Sequence, residues 1–249
     1  MVPRMLLFLL LVSLLPVPVF AQGYLTFPHF ATGAGMQSEI VLINPQQRTE
    51  ISIYLEMYNQ DGSHARDLFD GYFTIIPPYG IKRINLGING PPRVGWMTAT
   101  AWPWPDTGAN LSNGPAQLVG SLKITLPGIG SSTVLDSQSG QTFMLPVKKQ
   151  GTTNTGIAIA NVCSNPLTVI GTLRDIDGLI LGTYRSTFPA FTQIAKYIDE
   201  LIPGRSSYDG SLTVAIGPSV ERCIQMSVVS FALGSESGDF VVQPVGKIN

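Results

Sequence analysis

Apolar residues recur at every second position in several stretches of this chain. In Ile51 to Met57 (ISIYLEM) they alternate with Ser52, Tyr54 and Glu56, and Thr155 to Ala160 (TGIAIA) follows the same rhythm. A period of two marks a strand with one face in a core. Asp61-Gly62 and Asp177-Gly178 follow such runs. They read as hairpins closed by type I′ turns, which need positive φ at both central residues. Short strands punctuated by turns predict a β-sandwich. One stretch breaks the rhythm. Between Thr192 and Leu201, the residues Ile194, Tyr197, Ile198 and Leu201 stand at i, i+3, i+4 and i+7. With Thr192 as a cap and Pro203-Gly204 beyond the end, the spacing predicts a short helix.

The blocks repeat. Ser38 to Pro45 (SEIVLINP) corresponds to Asn154 to Asn161 (NTGIAIAN), both alternating strands that end at asparagine. Ile51 to Gly62 corresponds to Thr168 to Gly178, Gly95 to Ala101 to Gly210 to Ile216, and Val119 to Ile124 to Met226 to Phe231. Four blocks in one order indicate an internal duplication. The fold expected is all-β: two tandem Ig-like β-sandwich modules, residues 22–130 and 131–249, with one short helix in the second. The segment Pro77-Pro78-Tyr79-Gly80, opposite the helix in the first copy, should be a turn. A Phe/Pro signature recurs at Phe27-Pro28-His29-Phe30, at Phe143 to Val147 and at Phe240 to Val245. Proline removes a ladder donor, so these read as strands at sheet edges. Gly128 to Ser132 and Ser137 to Gly140 read as a short Gly/Ser connection that keeps the modules close.

The order Phe-Pro-His-Phe-Ala, Gly-x-Gly, Ile-Val-Leu-Ile-Asn-Pro, Asp-Gly, together with Ala195 to Pro203 (AKYIDELIP), resembles a module of secreted or surface-exposed proteins of environmental bacteria. The resemblance spans nearly all of the chain beyond residue 21. It implies Ig-like sandwiches in tandem and brings no catalytic residues with it. Met36 stands where that family often has an aromatic residue.

The first residues set the compartment. Met1 to Arg4 carries one positive charge, Met5 to Leu15 is almost wholly apolar, and Pro16 to Ala21 ends in Val-Phe-Ala. This reads as a signal peptide over 1–21, cleaved after Ala21. The apolar run is shorter than the ~20 residues that span a bilayer. No cysteine follows for lipid attachment, and no later run is long enough to cross, so the mature chain is expected to be exported without a transmembrane segment. The sequence leaves open whether it stays in the periplasm, on the surface or is released. Only 12% of residues are charged, with 15 Lys+Arg against 16 Asp+Glu. That balance, without a basic cluster, offers nothing to nucleic acid. Cys163 and Cys223, both in the second module, are a disulfide candidate in an oxidising compartment. Two buried thiols are the other reading.

Candidate chemistry is thin. His29 lies in the Phe/Pro motif and His64 in a polar turn. Neither is set beside a recognisable nucleophile, and no G-x-S-x-G, H-E-x-x-H, C-x-x-C or P-loop occurs. Asp175, Asp177 and Asp199 could ligate calcium, but Asp175-Ile176-Asp177-Gly178 reads better as a turn. No cofactor or metal is expected. Trp102-Pro103-Trp104-Pro105 stands out: two proline-held tryptophans form a platform for a sugar or a protein, or else pack at the sandwich end or between modules. The expectation is a non-catalytic exported protein with a binding or structural, adhesion-like role. Its partner is a protein or glycan, and edge strands near Phe27 or Phe240 could pair with a neighbour. The alternative is a carbohydrate-binding or carbohydrate-active secreted protein. The first module is expected to bind and the second to brace it.

Overall fold

The computed structural model describes residues 23–68, 73–87, 89–104, 116–135, 139–219, 221–234, 239–243 and 245–248. The leader expected over 1–21 lies outside them, as does most of the loop after Trp104. The chain is all-β. The first half carries β1 (Tyr24–Thr32), β2 (Gln37–Ile43), β3 (Glu50–Asn59), β4 (Phe73–Ile76), β5 (Ile81–Leu86), β6 (Arg93–Trp104), β7 (Val119–Leu126) and β8 (Gly130–Leu135). The second carries β9 (Thr142–Gln150), β10 (Thr153–Asn161), β11 (Leu167–Asp175), β12 (Ile180–Phe188), β13 (Gln193–Tyr197), the single-turn helix α1 (Ile198–Leu201), β14 (Tyr208–Ile216), β15 (Met226–Gly234), β16 (Asp239–Gln243) and β17 (Gly246–Lys247).

Strand order repeats between the halves. The first half pairs β1-β6-β3-β4 in one sheet and β5-β2-β7-β8 in the other. The second pairs β9, β14, β11 and β12 in the first of these orders and β13, β10, β15 and β16 in the second. A two-pair ladder between β9 and β10 joins its sheets. The second and fifth strands pair, as do the third and sixth, which are the central pairs of an immunoglobulin sandwich. The first strand joins the sixth rather than the second, and the seventh joins the second. The alternation seen in the sequence builds both cores. Ile51, Ile53, Leu55, Met97 and Ala99 of one sheet meet Ile40, Leu42, Leu122 and Ile124 of the other. Phe143, Leu145, Val169 and Leu212 meet Ile157, Ile159 and Val228.

Four expectations change. The segment Thr192–Leu201 is not one helix: Gln193–Tyr197 is β13, paired along β10, and only Ile198–Leu201 is helical, with Tyr197 rather than Thr192 as N-cap. Ile194 packs on the second core and Ala195 on the first half, so apolar residues occupy both parities and imitate a helical stripe. The boundary at 130/131 cuts a hairpin, because Gly130–Leu135 pairs with β7 and belongs to the first half. Gly128 and Gly130 form its turn at positive φ rather than a linker. The Asp-Gly turns are not type I′. Only Gly62 and Gly178 have positive φ, at 87° and 84°, and Gly62 N–H and Gly178 N–H donate to Asn59 O and Asp175 O. This is a three-residue loop with a glycine in the left-handed region. Finally, Phe143 of β9 is not on an outer edge strand, since β9 lies between β14 and β10. The expected turn at Pro77–Gly80 is present, closed by Gly80 N–H donating to Pro77 O.

Candidate functional site

The two tryptophans singled out in the sequence lie side by side on the outer face of the first sheet. Met97, Ala99 and Ala101 of β6 point into the core, so Trp102 and Trp104 point outward, 37% and 36% exposed. They pack neither between the halves nor into the core. At alternate positions of one strand their backbones stand roughly 7 Å apart. The ladder adds more rings. Trp102 lies opposite Ser52, whose other neighbour is Ile75. Thr100 lies between Tyr24 and Tyr54, and Tyr54 faces Phe73. Tyr24, Tyr54, Phe73 and Ile75 are all exposed. Phe73 meets Trp104 edge to face at 5.5 Å. Thr100 and Glu50 sit among these groups, while Ser52 lies buried beneath them with its hydroxyl donating to Trp102 O. The sequence carried a sign of this surface: Tyr54 occupies a polar position of an alternating strand.

The other end of the same outer face is buried by the second half. Trp96 stacks on Tyr58 at 4.6 Å and Phe191 stacks on Tyr58 at 5.1 Å. Trp96 Nε1–H donates to Phe191 O at 2.7 Å, and His64 lies 4.7 Å from the Tyr58 ring. Burial pushes the Tyr58 phenol up to about 12, with the charge of Glu56 adding to it. Phe191 enters at φ 58°, a left-handed conformation. Its counterpart Tyr79, at φ 55°, is instead 61% exposed.

His29 sits in this seam because of Pro28. The β1–β6 register shifts between Phe27 and Phe30, so both phenylalanines enter the core. Pro28 cannot donate to the ladder, and the bulge re-aims the residue after it. His29 thus meets Phe231 edge to face at 5.3 Å. Gln193 Nε2–H donates to Pro28 O at 3.2 Å and to His29 Nδ1 at 2.9 Å. This orients the amide, leaves Gln193 Oε1 without a partner among the described residues, and puts the imidazole proton on Nε2. Burial pushes the imidazole down to about 4, so His29 is neutral at pH 7. The edges near Phe27 and Phe240 are occupied within the chain. β1 packs against β10, β13 and β15, and β16 lies along β8, where Val242 N–H donates to Ser132 Oγ.

The acidic candidates are not brought together. Asp175 Oδ1 accepts the N–H groups of Asp177 and Leu179, closing its own hairpin. Asp199 accepts from Lys149 Nζ and Asn154 Nδ2. Burial alone would raise its carboxyl, but those bonds outweigh it and hold the group below the usual range. Among the described residues, no group of three His, Cys, Asp or Glu could hold a metal ion. Cys163 and Cys223 are bonded, their Cα atoms 5.6 Å apart.

No protein-family model matches the chain, and no curated protein matches it in sequence. Among solved structures, a β-glucuronidase of glycoside hydrolase family 2 aligns over 88% of this chain and 23% of its own, at 11% identity and a TM-score of 0.19. An anti-sigma factor domain-containing protein from Clostridium clariflavum aligns over 83% of this chain and 82% of its own, at 8% identity and a TM-score of 0.21. The Bacteroides uniformis β-glucuronidase aligns over 87% and 25%, at 12% identity and a TM-score of 0.18. Likenesses this distant leave the reading to the chain's own residues.

Proposed function

We propose that this is an exported, non-catalytic binding protein, whose first sandwich holds a glycan chain on the outer face of β1-β6-β3-β4. The observation that carries this reading is the exposed row of Trp102, Trp104, Phe73, Tyr54 and Tyr24 across one sheet. Isolated exposed apolar residues are ordinary, but a contiguous aromatic patch on a sheet is a binding surface. Pyranose rings present flat apolar faces and hydroxyl edges. Aromatic faces would take the first, and Thr100 and Glu50 the second. Export is supported by the basic-apolar-small leader and by the disulfide, which belongs to oxidising compartments. No helix among the described residues is long and apolar enough to cross a membrane. The tandem Ig-like reading gives the second half the role of brace, closing the far end of the binding sheet through Phe191.

A panel of insoluble and soluble polysaccharides, combined with a reducing-sugar assay on the mature chain, tests the proposal. Binding to at least one polymer is expected, falling at least tenfold in Trp102→Ala/Trp104→Ala while the melting temperature stays within a few degrees. Sugar release would overturn the non-catalytic part. Absence of binding across the panel, or binding indifferent to the double substitution, would overturn the glycan part.

A further inference from the structure

The seam between the halves does not close completely. A cavity of about 190 Å³ remains, lined by His29 and Leu126 from the first half and by Gly156, Tyr197, Phe231 and Phe240 from the second. Gly156 is one of its walls. On β10 this residue lies between Tyr197 on one neighbouring strand and Phe231 on the other. In the first half the same place is held by Glu39, which pairs with Arg83. Nothing local demands glycine at 156. Its φ is not positive, and a Cβ there would meet nothing nearer than Lys196 O at 3.7 Å, an ordinary contact. Glycine inside a strand weakens it. Here the missing side chain is what keeps the space open.

The chemistry of the walls is one-sided. Apart from the imidazole, the deep lining is apolar or aromatic. Lys196 and Glu200 stand among the lining residues with opposite charges, so the site favours no net charge. The bond from Gln193 to Nδ1 leaves His29 Nε2–H as a donor with no protein partner among the described residues. A dry apolar cavity of about 150 Å³ is enough for benzene, so this volume suits one substituted ring.

We propose that the seam cavity is a second binding site, for an uncharged single-ring aromatic molecule carrying one oxygen substituent that accepts a hydrogen bond from His29 Nε2–H. The ring lies over Gly156 between Tyr197 and Phe231. The site is independent of the aromatic sheet face and stands whether or not that face binds a glycan.

Two molecules of nearly equal shape test it: p-cresol, which has the oxygen, and p-xylene, which lacks it. In titrations of the mature chain followed by calorimetry or by amide chemical shifts, both should bind saturably. One neutral hydrogen bond should make p-cresol tighter by roughly fivefold. His29→Phe should erase that preference and leave p-xylene binding in place; His29→Gln, which restores a donor, should recover part of it. Gly156→Leu should abolish binding of both. Gly156→Ala, whose Cβ has room, should keep or raise the melting temperature while weakening both ligands, which separates loss of the site from loss of the fold. Absence of saturable binding, or binding unchanged by Gly156→Leu, overturns the site. A p-cresol preference that survives His29→Phe overturns the role given to the imidazole.

Discussion

At the residue scale, the duplication is written in buried polar groups. Asn44 Nδ2 donates to the carbonyls of Thr49, Ile76 and Pro77, and its Oδ1 accepts from Gln46 N–H. Asn161 does the same with Asn165, Phe188, Pro189 and Cys163 N–H. Six residues before each asparagine, the Ser38 hydroxyl bridges Ala31 N–H and O as the Thr155 hydroxyl bridges Lys148 N–H and O. The strand-ending asparagine was visible in the sequence. What it ties together was not, because two of its four partners, at the end of another strand and the turn after it, lie more than 25 residues away. Replacing either asparagine by alanine strands several buried carbonyls, at about 1–3 kcal/mol for each group left truly unpaired. Asn44→Ala and Asn161→Ala are each expected to lower the urea midpoint by a similar amount, and a variant that unfolds like the wild type would refute the role. His29 adds a pH dependence. Its folded value lies near 4 against 6.5 unfolded, so the unfolded chain binds more protons between those limits and stability falls as pH drops from about 6.5 to 4. The share due to His29 is at most about 3 kcal/mol. In His29→Gln the melting temperature should lose most of its slope across that window.

At the element scale, strands are legible wherever larger apolar residues fall on alternate positions, as in β3, β11 and even the largely buried β10. β3 and β11 alternate cleanly. β13 does not, and it was mistaken for a helix because Ile194 faces the second core while Ala195 faces the first half. β8 was lost for a different reason: it is short, rich in Ser and Gly, and looks like a linker until its ladder with β7 is seen. The disulfide follows the same logic of placement. Cys163 stands where the first half has Gln46, at the turn gathered by the buried asparagine, and it ties that turn to the loop before β15. Closing a loop of 60 residues is worth about 4 kcal/mol in the chain-entropy account. Cys163→Ser/Cys223→Ser should therefore shift the denaturation midpoint strongly while leaving any glycan binding intact, because both cysteines lie in the second half. Loss of binding in a variant that remains folded would instead mean that the two halves act on the ligand together.

At the scale of the whole molecule, the halves differ where they meet. The outward face of β10 carries Gly156, Ala158 and Ala160, small enough for β1 to pack against it. The matching positions of β2 are Glu39, Val41 and Ile43, with Glu39 held by Arg83. On the receiving side, Tyr58 and Trp96 of the first half correspond to Arg174 and Ser211 of the second. The seam thus joins small residues of β10 to the Tyr58 and Trp96 rings, whereas the corresponding outer positions carry the bulkier Glu39, Val41 and Ile43 and the polar Arg174 and Ser211. The seam is continuous with the first core, since Ala158, Val229, Phe231 and Phe240 belong to the same buried cluster as Phe27 and Leu42. Two sandwiches joined this way should unfold as one unit. A single calorimetric transition, with equal calorimetric and van't Hoff enthalpies, is expected for residues 22–249. Exchanging the seam residues for those of the second copy, as Tyr58→Arg/Trp96→Ser, removes the stack on Phe191 and leaves both interior cores untouched. Truncating a buried tryptophan costs about 3–5 kcal/mol, and here that loss falls on the coupling between halves rather than on either sandwich. The exchanged variant should show two separable transitions. If it melts in one step at an unchanged temperature, the stack is not what joins the halves; if the wild type itself melts in two, the continuous seam does not couple them.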